Sequence, residues 1–338
     1  MIRKNVSLKN HNTFGIDARA SLFATIQTVE ELQGLFQGNE IDQSEPMLIL
    51  GGGSNILFTR DFEGLVMKMD LQGVSVIRET SDDAEIRAYA GQNWDQLVSY
   101  GVDRGLGGLE NLSLIPGTAG AAPIQNIGAY GAELKDVLTE LCAWDRKTMQ
   151  MVTIPAEACG FGYRTSIFKT SDKDHYIILS ITLRLMKRPA FNLRYSAVSE
   201  ELNRMDVCEP SLKAVRDAVI RIRSRKLPDP ALLGNAGSFF KNPSVAAERY
   251  SDLKESFPGL PGNQQPDGTV KLAAGWMIEH CGWKGYREGQ AGVHQDQALV
   301  LVNLGNATGM EVLDLADKIR QSVAGKFGVM LETEVNIL

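Results

Sequence analysis

Residues 105–131, "GLGGLENLSLIPGTAGAAPIQNIGAYG", hold seven glycines in 27 positions. No regular helix or strand tolerates that density, because each glycine adds backbone entropy to be lost on folding and offers no side chain to pack. The chain must therefore carry a long irregular segment inside a compact domain, and such segments have functional reasons to exist. The small side chains let backbone amides come close to a ligand, and the segment brings almost no charge of its own. A buried pyrophosphate-binding loop has this composition. A structural crossover has it too.

A second glycine cluster, "LILGGGSNILF" at residues 48–58, follows an apolar run. In a dinucleotide fingerprint a third glycine would stand at position 56 and a helix would follow. Ile56 stands there instead, and "NILFTRDFEGLVMKM" is interrupted by Gly64 and alternates at its end. The pattern is strand, glycine turn, strand. On these residues alone a tight glycine hairpin is the favoured reading; the other is an anion cradle of successive amides with no helix behind it.

A length of 338 residues implies two or three domains. With 43% hydrophobic and 22% charged residues the composition is globular, without low-complexity tracts or repeats. A net charge of −6 argues against a nucleic-acid binder, which needs clustered cations. The N-terminus lacks a signal-type apolar core and no run of eighteen apolar residues occurs, so a cytoplasmic protein without membrane attachment is expected. Cys142, Cys159, Cys208 and Cys281 are scattered and read as buried apolar fillers. The four histidines are equally dispersed, so no metal is expected.

Along residues 22–100 short apolar runs, "SLFATIQ", "PMLILGG", "GLVMKM", "VSVIRE" and "AEIRAYAG", alternate with helical patches at "TVEELQGLF" and "WDQLVSYGVDRG". Strands resume at "LTELCAWDR", "MQMVTIP" and "HYIILSITLRLMK". The stretch "EPSLKAVRDAVIRIRSRKLPDP" puts Val215, Ala218, Val219 and Ile222 on one helix face and breaks at Pro228 and Pro230, where a final domain should begin. Beyond it "VKLAAGWMIEHCG" reads as a helix and "ALVLVNL" as a strand. A helix after Thr308 carries capping-box spacing to Glu311 and repeats apolar residues at Val312, Leu315, Ile319 and Val323. "VMLETEVNIL" reads as a closing strand.

Four places could carry chemistry. Ser238 in "GNAGSFFKNP" fails the G-x-S-x-G pattern at Phe240, so it is a turn serine or a neutral proton donor to a carbanion held beside it. Tyr163 and Arg164 follow a glycine turn in "CGFGYRTSIFK", where a guanidinium suits a carboxylate or an enolate, although an isolated arginine is ordinarily a solvated surface group. In "LETEV", strand alternation would put Glu332 and Glu334 on one face, raising proton affinity if that face lines a cleft and otherwise keeping an edge strand soluble. Arg216, Arg221, Arg223, Arg225 and Lys226 cannot all face one way on a helix, so several are solvated charges, and Lys226 could reach a phosphate.

Taken together and in order, "LGGGSNILF", "IPGTAGAAPIQNIGAYGAE", "FGYRTSIFK", "RKLPDP", "GNAGSFFKNP", "HQDQALVLVN" and "LETEV" resemble the UDP-N-acetylenolpyruvoylglucosamine reductase family, the MurB family, over nearly the whole chain. The resemblance implies an α+β fold: a vanillyl-alcohol-oxidase-type FAD-binding domain in two lobes, 1–71 and 72–227, and a C-terminal α+β substrate-binding domain, 228–338, whose last strand can return to the FAD site. It implies non-covalent FAD, NADPH as hydride donor, and reduction of the enolpyruvyl ether of a UDP-sugar to a lactyl ether in peptidoglycan precursor synthesis, by a cytoplasmic monomer.

By matching motifs, Arg164 and Glu334 are expected to stabilise the enolate and Ser238 to supply the proton. Cofactor contacts are expected at Gly51, Gly52, Gly53, Ser54, Asn55 and Ile56, and at Ser113, Ile115, Pro116, Gly117, Thr118, Gly120, Ala121, Ile127, Gly128 and Ala129. Substrate contacts are expected at Tyr130, Tyr163, Tyr195, Arg223, Lys226, Asn242 and Gln297, with Tyr195 matching the lid tyrosine of the longer family class. Thr333 departs from the proline the family often has between the two glutamates, and the residues around Tyr195 match loosely. Asp17 matches an N-terminal family motif and is read as structural. The competing readings are another flavin oxidoreductase of the same fold and a non-catalytic FAD or nucleotide-sugar binding protein.

Overall fold

The computed structural model describes residues 1–38 and 45–338, which form two compact units. The first comprises Met1–Val6, Ala20–Gly52 and Glu63–Arg225; the second comprises Ser7–Arg19, Gly53–Phe62 and Lys226–Leu338.

In the first unit, strands Arg3–Ser7, Arg19–Ile26, Phe62–Met69 and Met47–Leu50 lie side by side in that order. Their apolar residues, among them Ala24, Ile26, Leu65 and Met67, bury Leu32 and Phe36 of helix α1 (Val29–Gln37). A reciprocal capping box starts α1: the Thr28 side chain accepts from the Glu31 N–H, and the Glu31 carboxylate accepts from the Thr28 N–H. A second sheet runs antiparallel throughout, in the order Gln150–Pro155, Leu138–Asp145, Tyr176–Met186, Asp83–Tyr89, Val74–Glu79. Its central strand is covered on both faces. Ile177 and Leu179 enter the core shared with the first sheet, while Ile178, Ile181, Leu183 and Leu185 enter another with Trp94, Leu97 and Val98 of α2 (Trp94–Asp103). Double coverage is why "YIILSITLRLM" reads as a nearly continuous apolar run.

Helices α3 (Ser196–Arg204) and α4 (Leu212–Lys226) pack Val198 and Leu202 against Val215, Ala218, Val219 and Ile222, the face expected from their spacing. Each buried valine or isoleucine contributes about 1.5–3 kcal/mol.

The second unit has an antiparallel sheet in the order Gly234–Ser238, Val300–Asn303, Ala291–Val293, Arg287–Glu288, and a three-stranded one of Ser244–Ala246, Thr269–Leu272 and Gly262–Gln264. Helices α5 (Ala247–Ser256), α6 (Ala274–His280) and α7 (Gly309–Phe327) accompany them. α7 begins at the expected Thr308–Glu311 capping box, buries Val312, Leu315, Ile319 and Val323, and ends at Gly328. Among the described residues no helix is long and apolar enough to cross a membrane.

Several local expectations are corrected. The glycine turn at 51–53 is not a hairpin: Met47–Leu50 and Phe62–Met69 pair in parallel, with Leu50 opposite Lys68. A tight turn can join only antiparallel neighbours. Here the chain leaves the sheet, and Ile56–Leu57 pairs in parallel with Asn336–Ile337 before it returns. The closing strand is shorter than "VMLETEVNIL" suggests, with regular pairing only at Asn336–Ile337 and an isolated bridge at Thr333. Bends follow at 334 and 335, so simple alternation does not govern Glu332 and Glu334. In "VKLAAGWMIEHCG" the first residues belong to strand Thr269–Leu272 and only Ala274–His280 is helical. Of the four cysteines Cys159 alone is fully buried, and Cys208 is exposed.

Candidate functional site

The two glycine-rich stretches abut within the first unit. A Cβ on Gly52 would lie 2.8 Å from the Gly117 Cα, and one on Gly51 would lie 2.7 Å from Thr118 Oγ1. At Gly52 backbone approaches backbone, and at Gly51 the side chains of Thr118 and Ala121 fill the space a Cβ would take. The 117–120 segment is tied down through its main chain: Trp94 N–H donates to Gly117 O at 3.1 Å, Ala119 N–H to Gln92 O at 2.9 Å and Gly120 N–H to Ala90 O at 2.9 Å. Thr118 Oγ1 is buried and has no hydrogen-bond partner among the described residues. A hydroxyl in that position costs free energy unless something bonds it. A rigid, small-residue cradle with one waiting hydroxyl fits a bound polyanionic cofactor such as FAD.

Ser113, Ile115, Pro116 and Ala121 belong to the same segment. Ser113 Oγ donates to Glu110 O at 2.6 Å, and Ile115 and Ile127 pack against the core beneath. Gly128–Ala129 pairs with Ala132–Glu133 as a two-residue hairpin. Lys68, which sequence reasoning passed over, lies next to the first loop and its Nζ donates to the Gly51 carbonyl. Burial lowers the Lys68 pKa while Asp70 opposes the shift. The signal was a lone lysine in the otherwise apolar end of "GLVMKM", directly opposite the residue before the glycines.

The first unit also gathers cations and tyrosines. Arg164 donates to Gly128 O at 2.7 Å and its guanidinium lies 5.3 Å from the Tyr163 ring centre. Arg223 donates from Nε to Leu114 O at 3.2 Å. Its pKa falls below the usual arginine value through burial, with a further lowering from Arg164, while Tyr130 and Asp95 act against the fall. Burial raises the Tyr130 phenol and Arg223 opposes that rise. Tyr130 and Tyr195 meet edge to face with ring centres 5.4 Å apart. Tyr195 is 48% exposed and Tyr163 is 41% exposed, so both offer ring surface to a ligand. Two guanidinium groups that repel each other in a partly buried place, bordered by three aromatic rings, suit an anion carrying a planar base or sugar.

Backbone conformation marks the same region. Leu114, Asn126, Tyr130 and Arg164 all have positive φ, at 57°, 44°, 49° and 54°. Non-glycine residues rarely adopt this conformation, and such strain concentrates at ligand sites. Buried Asn111 holds the Tyr130 carbonyl and Asn126 holds the Gly162 carbonyl through side-chain N–H groups, at 2.9 and 3.2 Å. The sequence offered no cue for either. The basic run is also more structured than expected: Arg216 forms a fork with Asp95, and Arg225 pairs with buried Glu201.

In the second unit Ser238 closes strand Gly234–Ser238, opposite Val300. Gly237 before it has φ of +70°, the left-handed turn that glycine permits. Phe239 and Phe240 are fully buried and anchor the turn. The C-terminal segment docks on them: Glu334 N–H donates to Phe239 O at 2.8 Å and Lys241 N–H to Glu332 O at 2.9 Å, around a bridge between Phe240 and Thr333. Ser238 and Glu334 thus come together, although 96 positions separate them in sequence. Neither ladder bond uses the Thr333 N–H. Proline at this position would forfeit neither of them, so the departure from the family pattern is mild. Glu332 pairs with Lys241 at 2.9 Å, which holds its carboxyl below the usual range.

The glycine loop's downstream end belongs to this unit. The Gly53 turn rests on His11 and Asn12, with Thr13 N–H donating to Gly53 O at 3.0 Å. Asn55 Nδ2 donates to Glu334 O at 3.2 Å, and Asn336 N–H donates to Asn55 O at 3.1 Å. Asn242 accepts from Ala274 N–H at 3.0 Å at the start of α6, and Gln297 Oε1 lies 3.4 Å from where a Cβ on Gly275 would stand. Lys226 is the last residue of α4. Asp17 accepts a 2.8 Å bond from Ser7, a local structural contact.

Residues 20–152 match an FAD binding domain, and residues 229–338 match the C-terminal domain of UDP-N-acetylenolpyruvoylglucosamine reductase. The UDP-N-acetylenolpyruvoylglucosamine reductase of Pseudomonas aeruginosa is 48% identical over 99% of this chain and 98% of its own length. The protein of the same name from Flavobacterium johnsoniae is 45% identical over 100% and 99%. The crystal structure of UDP-N-acetylenolpyruvylglucosamine reductase (MurB) from Thermus caldophilus superposes with a TM-score of 0.70 at 26% identity, covering 100% of this chain and 99% of that one. Similarity of this depth along the entire length, not at a few motifs, shows that the chain belongs to the UDP-N-acetylenolpyruvoylglucosamine reductase family.

Proposed function

We propose that this protein reduces UDP-N-acetyl-3-O-(1-carboxyvinyl)-glucosamine to UDP-N-acetylmuramate with FAD as cofactor and NADPH as reductant, acting as a cytoplasmic monomer. In this reading 1–71 and 72–227 are the two lobes that hold FAD, and 228–338 is the substrate domain. Within a chain of this family, the observation that carries the reading is the short ladder that sets Glu334 beside the Ser238 turn.

The chemistry FAD supplies when bound is hydride transfer, taken from NADPH and given to the vinyl methylene carbon. The chain's own groups handle the charge and the proton. Hydride addition sends the vinyl electron pair into the adjacent carboxylate as an enolate, which needs a cation or donor placed where the charge develops. Arg164, oriented by its bond to Gly128 O, supplies the fixed positive charge. Glu334 serves the same enolate in its protonated form or through water. Ser238 Oγ–H gives its proton to the carbon next to the carboxylate and regains one from solvent. A serine hydroxyl is a poor acid in water, so the step relies on a strongly basic acceptor and on positioning.

Gly51 to Ile56 and the 113–129 segment hold the cofactor, with Thr118 Oγ1 as a donor awaiting an acceptor. Arg223, Lys226, Asn242, Gln297, Tyr130 and Tyr163 contact the nucleotide sugar, and Tyr195 closes over it. The test is anaerobic. The purified yellow protein is reduced with NADPH, and UDP-N-acetylenolpyruvoylglucosamine is then added. Return of the oxidised flavin spectrum together with lactyl-ether product supports the reading. Reduction by NADPH without reoxidation by this substrate assigns the fold to a different flavin reaction, and a protein that cannot take up FAD refutes it.

A further inference from the structure

Leu114, inside the glycine-rich segment and at a positive φ of 57°, is gripped from both sides of its peptide backbone. Its N–H donates to Asp95 Oδ1 at 2.6 Å, and its carbonyl accepts from Arg223 Nε at 3.2 Å. Asp95 is fixed in turn by a two-pronged bond from Arg216, Nη1 to Oδ1 at 2.8 Å and Nη2 to Oδ2 at 2.9 Å. Arg216 and Arg223 are seven residues apart on α4 and so project from one face, two turns apart. Asp95 stands in the first turn of α2, where the helix dipole favours a carboxylate.

The Arg216 and Asp95 side chains are only 13% and 27% exposed. This is therefore no loose surface pair. A fork between planar guanidinium and carboxylate fixes direction as well as distance. Burial alone would raise the Asp95 pKa, but Arg216 and the Leu114 N–H outweigh it and keep the carboxylate charged. The consequence passes along the chain of bonds. Asp95 pins the amide of a residue in a disfavoured conformation, the conformation aims the Leu114 carbonyl, and the carbonyl aims Arg223 at Tyr130.

We propose that Asp95 and Arg216 are positioning residues for substrate: they lock the Leu114 turn so that the Arg223 guanidinium is pre-oriented for the anionic nucleotide sugar. The inference rests on the reading above that Arg223 binds that ligand. A free arginine side chain samples many rotamers, and ordering it on binding weakens affinity; holding it beforehand removes this cost. Loss of the lock therefore weakens substrate binding by about three- to tenfold.

The test titrates oxidised holoenzyme with UDP-N-acetylenolpyruvoylglucosamine, following the flavin absorbance change. It compares wild type, Asp95→Asn, Arg223→Lys and the double variant, with flavin content and melting temperature measured for each. Asp95→Asn should weaken binding in the wild-type background and add less than about twofold on top of Arg223→Lys, because both act through one guanidinium. Unchanged binding in Asp95→Asn, or a full independent loss in the double variant, overturns the inference. If Asp95→Asn fails to retain flavin, Arg216→Lys replaces it in the same cycle, since lysine keeps the charge and loses the fork. A wild-type holoenzyme that binds no nucleotide sugar refutes the functional reading and takes this inference with it; a wild type that binds, with variants that bind equally well, refutes the inference alone.

Discussion

The Glu334 N–H donates to the Phe239 carbonyl oxygen at 2.8 Å, so the last acidic residue of the chain is bonded to the residue that follows Ser238. The backbones of the proposed proton donor and of the residue proposed to stabilise the enolate are thereby held in register by main-chain bonds. Short main-chain ladders hold geometry better than loops do, and proton transfer to carbon is sensitive to small misplacement.

Removing the hydroxyl separates the two halves of the reaction. Ser238→Ala should leave flavin reduction by NADPH nearly unchanged and slow reoxidation by the enolpyruvyl substrate by about 10² or more. Stopped-flow absorbance resolves the two steps. Equal slowing of both would show that the serine supports the fold and does not donate the proton.

The enolate assignments predict losses typical of removing a preorganised donor. Arg164→Ala and Glu334→Gln should each lower turnover by about 10²–10³. For Arg164→Ala the first half-reaction, measured alone, distinguishes lost enolate stabilisation from a collapsed Gly128 hairpin, since the hairpin is also proposed to contact the flavin. A loss below tenfold in either variant removes that residue from the role.

Crowding of the two glycine loops predicts a cofactor-binding defect. A methyl group at position 52 would stand 2.8 Å from the Gly117 Cα, where only backbone can yield. Gly52→Ala should purify with much less FAD than wild type and melt at a lower temperature. The flavin-to-protein absorbance ratio reads the first effect directly; an undiminished ratio would mean that the loops part without consequence for the cofactor.

Acid stability should depend on Asp145 and its contact with His175. Asp145 sits against His175 Nε2 at 2.9 Å and accepts N–H bonds from Lys147 and Thr148. Its burial favours the neutral form, yet the backbone N–H groups of Thr148 and Lys147, followed by His175, prevail and bring its pKa from 3.8 down to about 2. A carboxyl depressed in the folded state contributes stability that is complete above the unfolded value and disappears as pH falls through the folded one. The contribution of Asp145 should therefore fade between pH 3.8 and about 2. Urea midpoints of wild type and Asp145→Asn across that window should converge as the pH is lowered. A difference that stays constant would exclude this linkage.

The elements legible in the sequence were those whose cause is local. Thr28 and Thr308 start helices because a short side chain and a glutamate three residues later satisfy end N–H groups, whatever the rest of the chain does. Val215, Ala218, Val219 and Ile222 announce their buried face by spacing alone. The glycine density at 105–131 excluded regular structure, and the ordered motifs carried the family. What required the folded chain were relations between distant residues. Whether the strands flanking Gly51–Gly53 run parallel or antiparallel depends on where the chain travels between them, and three glycines carry no information about that route. Glu332 and Glu334 look equivalent in "LETEV", but Lys241 neutralises one and the Phe239 carbonyl fixes the backbone of the other. Asp95, Lys68 and Asn111 are ordinary polar residues in sequence and gain meaning only from the carbonyls and amides the fold brings to them. Local propensity and pattern act through near neighbours, so the sequence alone determined the capped start of α7 at Thr308, the buried face of α4 and the family; register, partner choice and charge pairing are set by long-range packing, and these only the tertiary structure decided.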